Sequence, residues 1–146
     1  MNSYDKILNF AKISQGLKLK SPRSQFDGRR KIPFQIIDYD SEKLKIKFES
    51  GTLLPLHSWR FETAMKNLNK ETFIPIGARI SEDYESLSLE GFLIEEYRKQ
   101  TGNLTHTKTA PHIADILVLA GIAELGWAKS EMGRKVQGIR LKPEER

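Results

Sequence analysis

Apolar residues first recur at helical spacing, at Tyr4, Ile7, Leu8 and Ala11, which predicts a helix over residues 4–14. Ser3 precedes it as a cap and Gly16 follows it as a stop. The period then shortens to two. Phe34, Ile36 and Ile37 mark a strand over residues 33–39. Residues 43–49 alternate strictly, with Leu44, Ile46 and Phe48 on one face and Lys43, Lys45, Lys47 and Glu49 on the other. A third strand spans residues 52–56, so the unit reads as a three-stranded β-meander with turns at residues 40–42 and 50–51. Ser58 begins a helix to about Leu68, and residues 73–80 are extended but interrupted by Pro75 and Gly77.

The helical period returns at Leu89, Phe92, Leu93 and Tyr97, which predicts a helix over residues 88–101 ended by Gly102. Thr109 caps a second helix with Pro111 in its first turn, and Gly121 ends it. Residues 123–129 and 136–142 pair as a hairpin around Ser130-Glu131-Met132-Gly133. The expected fold class is therefore α+β. Residues 1–80 form a lobe with a basic loop and the meander, and residues 81–146 form a helical lobe ending in a hairpin. A boundary, if the chain has one, falls in the acidic stretch 81–86.

Composition narrows the function classes. Hydrophobic residues make up 38% and charged residues 29% of the chain, the balance of a folded, water-soluble protein. The longest apolar stretch, residues 113–125, is broken by Asp115, Gly121 and Glu124 and is too short to span a bilayer. Asp5, Asn9 and Lys12 interrupt the start of the chain, so no signal peptide is expected. There is no cysteine, which excludes disulfides and thiolate chemistry and suits a reducing cytoplasm. The net charge of +5 favours polyanionic partners.

Catalytic patterns are missing. His57, His106 and His112 lack the spacing of a zinc set, so no metal site is expected. Asp38, Asp40 and Glu42 imitate the start of a calcium loop, and Glu49 matches its twelfth position. However, Lys43 stands where that loop needs glycine, and a β-turn is the better account. Glu42 and Lys45 are three apart where a restriction-type nuclease needs two, which places them on opposite strand faces. Ser58 beside His57 implies no nucleophile–base pair. Gly121, Gly126, Gly133 and Gly138 are scattered and form no phosphate loop. No cofactor and no catalytic residue is expected.

What remains is positive charge. Lys18, Lys20, Arg23, Arg29, Arg30 and Lys31 crowd a segment opposed only by Asp27, read as a loop that a short strand over residues 17–20 could lead into, with Phe26 available to stack on a base. Lys43, Lys45 and Lys47 form a stripe on one strand face. They are either a phosphate-contacting row or protection of an edge strand. The order helix, short link, helix, hairpin over residues 88–142, with Lys129, Arg134, Lys135 and Arg140 on the hairpin, resembles winged-helix DNA-binding domains. That resemblance implies a helix entering the major groove and a hairpin wing touching phosphates. The helix departs from it: over residues 110–120 only His112 and Asp115 are polar, where base-reading helices expose Arg, Lys, Asn or Gln.

The expectation is non-catalytic nucleic-acid binding, DNA ahead of RNA, mainly through phosphates. Its residues are Lys18, Lys20, Arg23, Arg29, Arg30, Lys31, Lys45, Lys47, Arg134 and Lys135. The alternative is a homodimeric interaction module using the apolar helix, with Ile113, Leu117 and Val118 at the interface. In that reading the acidic residues Glu82, Asp83, Glu85, Glu90, Glu95 and Glu96 face the basic loop of another copy or a basic partner.

Overall fold

The early helical period produces α1 (Ser3–Ser14), and the alternating segments produce strands, as seen in a computed structural model that describes residues 3–26, 33–77, 87–103 and 109–143. After α1 come β1 (Leu19–Lys20), α2 (Pro22–Phe26), β2 (Pro33–Tyr39), β3 (Lys43–Phe48), β4 (Leu53–His57) and α3 (Ser58–Asn67). The class is α+β. The chain divides into two compact units, Met1–Glu62 and Thr63–Arg146, with the division inside α3.

In the first unit the meander stands as expected, and a further strand joins it. The antiparallel sheet has the order β1-β2-β3-β4. Two residues of β1 carry little pattern by themselves; they are strand because they pair with Pro33 and Phe34. The segment read as a loop also holds α2. Pro22 opens it, where a fixed φ and a missing N–H cost nothing.

The inner sheet face buries Phe34, Ile36, Leu44, Ile46 and Leu56 together with Ile7 and Ala11 of α1 and Phe61 of α3. The end of α1 is tied to β2, where Gly16 N–H donates to the Ile36 carbonyl at 3.0 Å and the Gln15 amide donates to Ile37. The β2–β3 connection is a turn held by Asp40, whose carboxylate accepts from the N–H groups of Glu42 at 2.8 Å and Lys43 at 2.9 Å. Those two donors hold its pKa below the usual carboxylate range. Asp40 is thus a turn residue, while Asp38 and Tyr39 close β2.

Tyr4 reaches the same turn from below. It is buried and its hydroxyl donates to the Asp40 carbonyl at 3.0 Å. Burial, with the Asp40 and Glu62 carboxylates adding to it, pushes its phenol from 10.0 up to about 12. The folded value exceeds the unfolded one, so this group's contribution to stability is whole below pH 10 and is lost as pH rises toward 12. The expected slope across that window is about 1.4 kcal/mol per pH unit. Urea midpoints measured on either side of pH 10 should fall less steeply in Tyr4→Phe than in the natural chain.

The second unit continues from α3 with β5 (Ile74–Pro75), α4 (Leu89–Thr101), α5 (Ala110–Leu119), β6 (Ala123–Lys129) and β7 (Lys135–Leu141). Its antiparallel sheet has the order β5-β7-β6. Ile74–Pro75 therefore completes the C-terminal sheet, whereas the sequence pattern places it in the first lobe. Residues 81–86, where a boundary is expected, lie outside the described residues.

Ser88 caps α4, its hydroxyl accepting from Gly91 N–H at 2.9 Å. Thr109 occupies the cap position of α5 but its side chain makes no capping hydrogen bond. The end of α5 is closed by Ile122 N–H to the Leu117 carbonyl and Gly121 N–H to the Val118 carbonyl, with Gly121 at φ 77°. This paired closure needs a left-handed residue, which glycine adopts without penalty. The hairpin then starts at once. Gly126 and Gly138 face each other across it beneath the Phe73 ring, and a Cβ at Gly126 would stand 2.4 Å from that ring.

The interface reading of α5 is corrected by burial. Ile113 and Leu117 are both 0% exposed within the single chain, so their side chains belong to the core. Val118 alone of the three is partly exposed. A helix apolar on nearly every side is here a helix covered on most sides. Among the described residues no helix is long and apolar enough to cross a membrane.

Candidate nucleic-acid interface

The first unit presents its lysines on the outer sheet face. The period of two sends Leu44 and Ile46 inward and Lys43, Lys45 and Lys47 outward. Their cross-strand neighbours are His57, Pro55 and Leu53 on β4, and Asp38 and Gln35 on β2. Asp38 is the one carboxylate among them. Among the described residues no ion pair holds these three lysines. Lys47 is exposed, while Lys43 and Lys45 lay part of their stems on the sheet.

Strand order decides between the two accounts of this stripe. β3 lies between β2 and β4 and is not an edge. Edge protection therefore does not explain it. Successive ammonium stems are set roughly 7 Å apart by the strand rise. Their mutual repulsion in water is about 0.6 kcal/mol per neighbouring pair, which the sheet tolerates and a polyanion would relieve.

The basic segment ahead of β2 is less uniform than its sequence suggests. Lys18 pairs with Glu49 at 2.9 Å, both well exposed, so its charge is balanced locally. Lys20 is exposed at the end of β1. Arg23 and Phe26 are half-buried on α2, not on a free loop. Arg29, Arg30 and Lys31 lie outside the described residues. A shallow hollow of about 220 Å³ opens beside Lys18, Gln35 and Lys47. It is smaller than the roughly 300–1,000 Å³ of small-molecule sites.

In the second unit the hairpin divides by face. On one face Arg140 is committed to the fold: it pairs with Glu124 at 2.7 Å and its guanidinium lies 4.2 Å from the Phe73 ring centre. On the other, Ala123 and Ile139 are buried near α5, and the strands then run beyond the core. There Trp127, Lys129 and Lys135 are exposed, with Arg134 exposed at the turn. Trp127 is 48% exposed and the Lys135 ammonium sits 4.5 Å from its ring centre. The sequence reading names Arg134 and Lys135 but passes over Trp127. The signal was its place two residues beyond Leu125, on the same strand face.

Among the described residues no three His, Asp or Glu side chains gather as metal ligands. His57 is exposed at the end of β4, His112 is half-buried in the first turn of α5, and His106 lies outside the described residues. No protein-family model, curated protein or solved structure matches this chain.

Proposed function

We propose that this protein binds nucleic acid without catalysis, chiefly through backbone phosphates. The observation that carries this is the lysine row Lys43, Lys45 and Lys47 on the outer face of an interior strand, with Asp38 as the one carboxylate among its cross-strand neighbours and Asp40 near Lys43 at the turn. Lys20 and the basic run 29–31 extend the positive charge of the same unit in sequence. The hairpin of the second unit adds Arg134 and Lys135. The element order α4, α5, β6, β7 is what the winged-helix resemblance rests on, and that resemblance puts DNA ahead of RNA in this reading. Helix α5 offers few groups that could read bases, so the binding reads backbone more than sequence. The absence of cysteine fits a cytoplasmic setting.

The test is binding of fluorescently labelled single- and double-stranded DNA and RNA across a salt series. Micromolar or tighter binding that weakens steeply with salt is expected. Absence of binding at low salt would remove the proposal.

A further inference from the structure

A half-exposed tryptophan at the end of a hairpin is unusual, because indole is large and is mostly buried when a core is within reach. Here Trp127 keeps 48% of its surface exposed. Trp127 pairs across the strands with Gln137, and the next pair outward is Lys129 with Lys135. The turn beyond holds Arg134, and Glu131 is the only acid among residues 127–135. One ammonium, that of Lys135, thus lies against the indole, and Lys129 and Arg134 add two more cations on the same end of the hairpin.

Two occupants could use such a plate. A protein partner would bury the indole, yet the surrounding charges would have to be desolvated or matched by acids. A nucleotide uses both features at once, because its base stacks on a ring and its phosphate meets ammonium and guanidinium groups. In a duplex the base faces are already taken by their neighbours in the stack, so only an unpaired base can offer one.

We infer that the hairpin tip is a stacking site for an unpaired nucleobase, with Trp127 as the platform and Lys129, Arg134 and Lys135 holding the adjoining phosphates. The inference rests on the nucleic-acid reading above and adds to it a preference for single strands at this site. It concerns the second unit, whereas the lysine row belongs to the first, so the two are separable by mutation.

The experiment uses the full chain carrying Trp59→Phe, so that Trp127 is the sole indole. Its emission is followed during titration with oligothymidine and with covalently closed circular duplex DNA, which has no ends. Oligothymidine should quench the emission and the circle should not. Trp127→Ala should weaken oligothymidine binding roughly 5- to 150-fold and leave circle binding unchanged, while Trp127→Phe keeps most of the affinity. Circular dichroism establishes that each variant is folded, and the quenching readout needs no substitution at Trp127.

If a folded Trp127→Ala binds both forms like its parent, and oligothymidine leaves the emission unchanged, the stacking site is refuted while phosphate binding stands. If the parent binds neither form at low salt, the nucleic-acid reading itself has failed. If neither form quenches but Trp127→Ala dissolves a self-association seen by sedimentation, the tip docks protein and this inference is overturned.

Discussion

Leu117→Glu is expected to unfold the second unit. Leu117 is fully buried on α5, and the same helix buries Ile113, Ala114 and Ile116. Removing the leucine side chain from a packed core costs about 2–5 kcal/mol. Burying an unpaired carboxylate adds several kcal/mol more, or forces its protonation. The sum approaches or exceeds the roughly 5–15 kcal/mol that holds a typical domain together. The expected observation is a partial loss of the near-ultraviolet circular dichroism and the loss of the second unit's share of the thermal transition. Val118→Glu, one position on and half-exposed, should fold and cost about 1 kcal/mol or less. The pair separates core from interface. A Leu117→Glu protein that folds normally but changes its oligomeric state would return α5 to an interface role.

How much of this was legible depends on the range of the interactions. The alternation in residues 43–48 fixed β3, its buried Leu44 and Ile46, and its outward lysines, because a strand's period is a local property. Ser88 and Gly102 marked the ends of α4, and Gly121 the end of α5, since capping is chemistry within one turn. The two-residue strands β1 and β5 were not legible as partners, because each exists through pairing with a strand distant in sequence. For the same reason the place of β1 in a four-stranded order was not legible, although the meander by itself already sets the lysine strand between its two neighbours. The glycine, serine and charge of the segment point to a loop and mask α2, although Ser21-Pro22 is a helix-opening pair. Burial of Ile113 and Leu117 could not be told from an interface, because an apolar helix face looks alike in either setting. Trp127 does not stand out in the sequence, because the pattern gives its face but not how exposed that part of the hairpin is.

The second large effect concerns the lysine row. Replacing Lys43, Lys45 and Lys47 together with Gln keeps the polar outer face and the buried Leu44 and Ile46, so the fold should survive nearly unchanged. Each lost phosphate contact should lower the salt dependence of binding by about 0.9 in the slope of log K against log salt. Three contacts give a change of about 2.7, and it should be alike for every sequence tested. Replacing Lys18 alone should do less, because Glu49 already balances it.

The deciding measurement is therefore the salt slope of DNA binding for the natural chain beside the folded triple variant. The account predicts a steep slope in the first and a slope shallower by about 2.7 in the second. Equal slopes in the two proteins would contradict it.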